Sequence, residues 1–174
     1  MKKTNLTSLL ISFLMITLII GCSGGGGGGN DSGGNSNSNG TLPPTAAVIK
    51  ISTLGSPSVT PLTGAQVTVH MPTGVSVKTF LDSTQTGTNA VVASGNAVPA
   101  DLVIGAYSST SGTVNVYVTK ASGFASGEFA TVTCDISSGS LLQAADFSVT
   151  DLIVSDSVGN LITGLTPSIA VTFQ

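Results

Sequence analysis

The sequence predicts an all-β domain, folded as an antiparallel β-sandwich or barrel. Apolar and polar residues alternate with a period of two in several short segments, which recur at roughly 8–14-residue intervals. Clusters of Gly, Ser, Asn and Pro separate these segments, as turns do. No long amphipathic helical pattern is present. A chain rich in Ser, Thr, Gly and Val, with only 7% charged residues, has the composition of an exported β protein.

We expect about nine strands. The clearest alternation runs from Ala65 to Met71, where every second residue is apolar and is expected to face inward. A single helical turn is expected at 140–145 and a hairpin turn at Gly159-Asn160. The predicted strands are, in chain order, 47–52, 65–71, 75–81, 88–94, 102–107, 113–119, 127–136, 147–154 and 169–173.

Residues 1–21 have the pattern of an export signal. Met1-Lys2-Lys3 is positively charged, and residues 9–20 are almost wholly apolar. This apolar core has the length of a signal peptide and is shorter than the ~20 residues of a membrane-spanning helix. Residues 18–22 read LIIGC and resemble the lipobox of bacterial lipoproteins. An ordinary signal peptide, cleaved beside a cysteine by coincidence, is the alternative.

The lipobox resemblance implies cleavage between Gly21 and Cys22. It also implies that Cys22 is thioether-linked to a diacylglycerol and that its freed amine is acylated. Two or more acyl chains give stable anchoring where one chain gives marginal binding. Ser23 follows the cysteine. The absence of Asp there implies, by the same resemblance, the outer membrane of a two-membrane bacterium, and hence a lipid-anchored protein of the cell envelope.

Residues 22–45 are predicted to be a flexible tether. The stretch 23–39 reads SGGGGGGNDSGGNSNSN and cannot help to bury a core. Pro43-Pro44 then stiffens the end of the tether next to the domain. The root-mean-square end-to-end distance of residues 23–45 is on the order of 25 Å. The glycine run is not a phosphate-binding loop, because no strand precedes it and no Lys-Ser or Lys-Thr closes it.

Charge and cysteine usage exclude some classes of protein. Without residues 1–21 the chain keeps three lysines, no arginine and all eight acidic residues, a net charge of about −5. No basic surface for nucleic acid is therefore expected. Since Cys22 is assigned to lipid, Cys134 has no partner for a disulfide. Residues 46–174 must then be stabilised by a hydrophobic core, as one domain.

A stretch late in the chain resembles the cohesin family. Gly127-Glu128-Phe129-Ala130 fits a Gly-Glu-apolar-Ala sequence that opens a late strand in many cohesins, and inward hydrophobes follow at 132, 134 and 136. Residues 66–75 and 146–164 resemble two further family segments. Cohesins share their nine-stranded, jelly-roll sandwich with several cellulose-binding modules. The resemblance implies a cohesin-like β-sandwich for 46–174, but no residue matches a diagnostic binding contact.

Catalytic chemistry is not indicated. A hydrolase needs a nucleophile, a base and an orienting acid. The only histidine, His70, lies on the polar face of its predicted strand, and no Gly-x-Ser-x-Gly elbow occurs. Cys134 falls at an inward strand position, where a cysteine acts as a small hydrophobe. We therefore expect no enzyme, no catalytic residues and no cofactor.

Two kinds of ligand site remain open. Asp146, Asp151 and Asp156 recur near the last hairpin, and the expectation is solvated loop carboxylates, with structural calcium as the alternative. No His or Cys cluster indicates zinc, so no metal site is assigned. A sugar platform needs exposed aromatic rings. Because the chain has no Trp, only Tyr107 and Tyr117 qualify as binding residues.

These observations favour a lipid-anchored, non-enzymatic module that binds a protein partner on a bacterial envelope. The acyl chains would fix its position, the tether would give reach, and a sheet face or edge would dock the partner. A surface polysaccharide-binding module is the alternative.

Overall fold

The computed structural model of the chain describes residues 43–80 and 83–174. The predicted signal cleavage at Gly21, the lipid attachment at Cys22 and the tether up to residue 42 lie outside the described residues.

The described residues form nine strands, which are joined by loops and two 3₁₀ turns, Gly95–Ala97 and Ala144–Asp146. In chain order the strands are β1 Ala46–Gly55, β2 Leu62–His70, β3 Val75–Ser76, β4 Val91–Ala93, β5 Leu102–Ser108, β6 Thr113–Phe124, β7 Glu128–Ile136, β8 Ser148–Ser155 and β9 Leu165–Phe173.

The strands form two antiparallel sheets. Sheet A has the order β3-β7-β1-β9, with β4 also paired to β7. Sheet B has the order β5-β6-β2-β8. The two sheets enclose one core, so the predicted sandwich of about nine strands is confirmed.

The core consists of the inward half of each alternating strand. Val114, Val116 and Val118 of β6 are fully buried, as the alternation predicts. Ala130, Val132, Cys134 and Ile136 of β7 share the inward face and are also buried. Phe129 is the largest fully buried side chain. These apolar residues supply the stability that a chain of this size needs in place of disulfides.

Residues 75–81 were expected to form one strand, but the structure has a strand only at Val75–Ser76. After Val77, which is buried, the chain leaves sheet A and crosses toward β5. Thr86 N–H donates to Gly105 O at 2.9 Å, so this segment covers the edge of sheet B. The predicted strand end, Leu81, lies outside the described residues.

The helical turn expected at 140–145 is a 3₁₀ turn at Ala144–Asp146. Its start is fixed by the Asp146 carboxylate, which accepts a hydrogen bond from Gln143 N–H at 2.7 Å.

Candidate functional site

The outer face of sheet B carries an exposed apolar row. The strand register places Ile104 of β5 beside Tyr117 of β6, Tyr117 beside Gln66 of β2, and Gln66 beside Ile153 of β8. Ile104 and Tyr117 are each 38% exposed, and Ile153 is 48% exposed. The apolar row, as we call these residues, therefore crosses all four strands of the sheet, with only Gln66 interrupting it.

A β-bulge in β8 turns Ile153 outward. The pairing with β2 shifts register between Gln66 and Thr68, and Asp151 has a φ of 55°. Asp tolerates this left-handed conformation better than most residues. Without the extra residue, alternation from the inward Val149 would point Ile153 into the core; with it, Val154 is buried and Ile153 is exposed.

The outer face of sheet A is different in character. Lys50 of β1 makes an ion pair with Glu128 of β7, with Nζ and Oε2 3.3 Å apart. Around the pair lie small and hydroxyl-bearing side chains such as Thr131, Ala170 and Thr172. Large apolar side chains exposed on strand faces are therefore concentrated on sheet B, with Leu102, Ile104, Tyr117 and Ile153, whereas the described part of sheet A has only Leu54, near the end of β1.

A shallow cavity of about 480 Å³ opens beside the apolar row, next to Tyr117. Gly64 of β2 creates it, because no side chain rises from the sheet at this position. Tyr117 forms one wall, and the polar lining includes Thr63, Asp101, Ser155 and Asp156. One aromatic ring flanked by hydroxyls and carboxylates is suited to a polar ligand with apolar patches.

Both carboxylates of the cavity are held by backbone donors. Asp101 accepts a hydrogen bond from Ala121 N–H. Asp156 Oδ1 accepts hydrogen bonds from Val158 N–H at 3.0 Å and Asn160 N–H at 2.9 Å. Desolvation alone would raise the pKa of Asp156, but the donors of Asn160 and Val158 outweigh it and hold the pKa below its ordinary value. Asp156 is therefore ionised at neutral pH.

The cavity lies at the end of the sandwich opposite to the entry of the chain at residue 43. Gly64 pairs with Ser155, the last residue of β8. The β8–β9 connection joins this end to Leu165, which pairs with Gly55 at the far end of β1 from Ala46. The ten residues of β1 separate the two ends by roughly 30 Å.

The two tyrosines expected to bind ligand do not share a surface. Tyr117 faces outward in the apolar row. Tyr107 pairs with the buried Val114, is half-buried and packs against the core. Tyr117 is therefore the single aromatic side chain of the outer face of sheet B among the described residues, and the two rings do not form one platform.

His70 has a partner that its sequence position does not reveal. Its Nε2 lies 2.9 Å from Thr150 Oγ1 on β8, and that hydroxyl donates to Asp151 Oδ2 at 2.8 Å. With the Thr150 hydroxyl donating to Asp151, the His70 tautomer that carries a proton on Nε2 is the one that donates to Thr150. A base that activates a nucleophile must instead accept that proton.

Cys134 lies in the core, as its inward position predicts. Its Sγ–H donates to Met71 Sδ at 3.6 Å, and the side chain is fully buried. Desolvation, with a smaller contribution from the charge of Asp135, raises the pKa of the Cys134 thiol to about 12. The thiol is protonated and enclosed at neutral pH.

The three aspartates considered for calcium are dispersed. Asp146 holds the 3₁₀ turn, Asp151 lies in the bulge of β8, and Asp156 lies beside the cavity. Within residues 43–80 and 83–174, no group of three or more His, Cys, Asp or Glu side chains is placed to hold a metal ion.

Sequence reasoning did not find Gly64, Ile104, Ile153 or Asp101. Alternation could not identify Ile104, because β5 begins with three consecutive apolar residues, and Ile153 required knowledge of the bulge.

The chain matches no protein-family model, no curated protein and no solved structure. In the part of the chain that the structure describes, no helix is both long enough and apolar enough to cross a bilayer.

Proposed function

We propose that this chain is a non-enzymatic, lipid-anchored module of a bacterial envelope that binds a protein partner through the outer face of sheet B. The observation that carries the proposal is the apolar row of Ile104, Tyr117 and Ile153, in register across four strands.

The contrast between the two sheets supports this choice of face. A solvated sheet face is normally polar, and the outer face of sheet A is mostly so, with its Lys50–Glu128 pair and a single large exposed apolar side chain, Leu54, near the end of β1. Aromatic and aliphatic residues at the centre of a face, with a polar rim, are typical of protein-binding surfaces. Thr68, which donates to Asn115 Oδ1 at 2.9 Å, belongs to that polar rim.

The predicted lipid anchor and tether would present the outer face of sheet B to a partner at the membrane. Acyl chains on Cys22 would fix the protein to the membrane, and residues 22–45 would let the domain reorient. The chain enters the sandwich at the Ala46 end, so the cavity and the adjoining part of the apolar row lie away from the attachment point. Many anchored copies would strengthen weak single contacts by avidity.

Site-specific photo-cross-linking tests the proposal. A photoreactive residue is placed in the full-length chain at Ile104 or Ile153, and at Thr131 or Thr133 on sheet A as matched controls. The expected result is that both sheet B positions capture the same envelope protein, and the sheet A positions do not. Equal capture from both faces, or no capture from sheet B, would overturn the proposal.

The cavity favours a second candidate, binding of surface polysaccharide. Tyr117 would pack on the apolar face of a sugar. The hydroxyls of Thr63 and Ser155 would donate and accept hydrogen bonds, and the fixed carboxylates of Asp101 and Asp156 would accept them. This candidate expects the full-length chain to be retained on an insoluble polysaccharide. Retention should be lost in Tyr117→Ala and kept in Thr131→Ala. A chain that is not retained, or a Tyr117→Ala variant that is retained equally, contradicts it.

A further inference from the structure

Most exposed sheet edges in this domain are protected against pairing with another strand. The β5 edge is covered by residues 84–86, because Tyr107 N–H donates to Thr84 O and Thr86 N–H donates to Gly105 O. The β8 edge is bent by the Asp151 bulge, and Ile162 N–H donates to Val154 O at its end. The edge strands β3 and β4 are only two and three residues long. Short strands, bulges, charges and covering loops are known devices of this kind.

Among the described residues, the β9 edge is protected only near its start. β9 is nine residues long and pairs with β1 without a register shift. Pro167 lacks an N–H and blocks the first part of the strand. From Ser168 to Gln174 the segment has no charged residue and no bulge. We call this segment, 168–174, the open edge.

The alternation of backbone hydrogen bonds between β9 and β1 shows which N–H and C=O groups of the open edge do not pair with β1. Ala46 and Gln174 exchange both backbone hydrogen bonds, at 3.1 and 2.9 Å. In an antiparallel ladder every second residue faces its partner strand, so the even-numbered residues of β9 point their backbone groups at β1. The N–H and C=O groups of Ile169, Val171 and Phe173 therefore point outward, and no described residue outside β9 pairs with them.

We propose that a second copy of this chain pairs with the open edge, β9 against β9 and antiparallel, about a two-fold axis through Val171. In this register Val171 lies opposite Val171 of the second copy, and Ile169 lies opposite Phe173. All three outward residues of each copy then exchange hydrogen bonds, about six in total. Pro167 falls outside the paired segment, and a register that included it would lose donors.

The side chains of the open edge suit a copy of itself. Ile169, Val171 and Phe173 face inward and are half-buried at the margin of the core, so pairing would bring apolar groups together below the sheet. On the outer face, Ala170 would lie opposite Thr172. No like charges meet, because the nearest cation, Lys50, is one strand away and is paired with Glu128. A two-fold axis places the same donors, acceptors and apolar side chains of the two open edges opposite one another.

The pairing also determines where the N-terminal ends of the two domains lie. Antiparallel pairing places the two Ala46 ends at opposite ends of the paired sheets. If both copies are anchored through Cys22, as proposed above, residues 22–45 must span the difference. Fully extended, that stretch reaches roughly 75 Å, which exceeds the length of β1. A contact of one strand edge is narrow, so we expect a weak, concentration-dependent dimer.

Disulfide cross-linking in expressing cells tests the pairing and its register. Two differently tagged full-length chains, one with Ala170→Cys and one with Thr172→Cys, are co-expressed, and membranes are oxidised. These residues would form a non-hydrogen-bonded pair with Cα atoms about 4.5 Å apart, which suits a disulfide. This pair should give clearly more disulfide-linked dimer, carrying both tags, than either substituted chain expressed alone or the unsubstituted chain gives.

A mixture of Ser168→Cys with Ala170→Cys is the matched control, because the proposed register separates those residues by about 13 Å. Equal cross-linking in this control, no mixed-tag dimer from 170 and 172, or cross-linking of β9 to a different protein would each overturn the proposal.

A backbone variant tests the same contact in solution. Val171→Pro removes an N–H that β1 does not use, and therefore about two of the six intermolecular hydrogen bonds. The dimer dissociation constant of the full-length chain should rise at least about tenfold. Val171→Ala, which keeps the N–H and shortens the side chain, should raise it less. An unchanged constant in a folded Val171→Pro protein would overturn the proposal, and the cross-linking test decides if this variant fails to fold.

Discussion

Gly64 and Tyr117 lie on neighbouring strands of sheet B, and a Cβ on Gly64 would lie 3.9 Å from the Tyr117 hydroxyl. The same Cβ would lie 2.7 Å from Ser155 Oγ, the end of a side chain that can rotate away. The absence of a side chain at Gly64 is therefore what keeps the cavity beside Tyr117 open. A single substitution at this position can fill the cavity without disturbing the core.

Gly64→Leu should separate the two candidate functions. The leucine side chain would fill the cavity, so retention on insoluble polysaccharide should be lost if the cavity binds sugar. Photo-cross-linking from Ile104, which lies two strands away from Gly64, should be unaffected if a protein docks on the row. The measurement is retention and cross-linking of the same full-length variant.

Gly64→Ala is the matched control, since one methyl group displaces only the Ser155 hydroxyl. If Gly64→Leu leaves polysaccharide retention intact, the cavity is not the sugar site.

Gly105→Ala should destabilise the domain. Gly105 faces inward on β5, and a Cβ there would meet Thr86 Oγ1, Thr86 Cγ2 and Val91 Cγ2, the last at 2.6 Å. Thr86 is itself buried at 7% exposure, so its side chain has little room to move. Overpacking of this kind costs about 1–3 kcal/mol. Denaturant unfolding should show the loss.

Gly64→Ala serves again as the comparison, on the outer face of the same sheet, and should change the free energy of unfolding by less than about 0.5 kcal/mol. Equal effects at the two glycines would show that residues 84–91 do not pack on β5 as described.

The sequence alone indicates the faces of the central strands well. Val114, Val116 and Val118 are inward in prediction and in structure, because the two faces of β6 differ sharply in polarity. β5 is harder, since Leu102, Val103 and Ile104 are apolar on both faces, and this is why Tyr107 could not be placed from alternation. Period-two patterns specify orientation only where one face is polar.

The candidate site depends on information that no single segment contains. Ile104, Tyr117 and Ile153 meet through the pairing of β5, β6, β2 and β8, which long-range packing determines. The Asp151 bulge further reverses the alternation of β8, so a simple pattern would assign Ile153 to the core. His70 and Thr150 are likewise brought together across 80 residues of sequence.

The Cys134 thiol should make the stability of the domain depend on alkaline pH. Burial raises the pKa of Cys134 from 9.0 to about 12 in the folded state. Above pH 9 the unfolded chain therefore loses this proton while the folded chain keeps it. Stability present below pH 9 should decline by up to about 1.4 kcal/mol per pH unit until about pH 12. Unfolding midpoints measured between pH 8 and 11 check this.

Cys134→Ala is the control, because the two proteins differ only in this thiol. The difference between their free energies of unfolding should shrink or reverse as pH rises above 9. A difference that is constant with pH would mean that the thiol is not enclosed.

Thiol counting should decide the lipid anchor. If Cys22 is thioether-linked to diacylglycerol, the denatured protein purified from membranes has one thiol that reacts with a disulfide reagent, that of Cys134. The Cys134→Ala variant then has none, and mass spectrometry finds an acylated N-terminal cysteine. Cys22→Ala should be absent from the lipid-anchored membrane fraction, because a single acyl chain or none gives only marginal binding. Two reactive thiols in the unsubstituted protein, or one in Cys134→Ala, would show a free Cys22 and would remove the anchor from the proposed function, while leaving the paired β9 edges to be judged by their own cross-links.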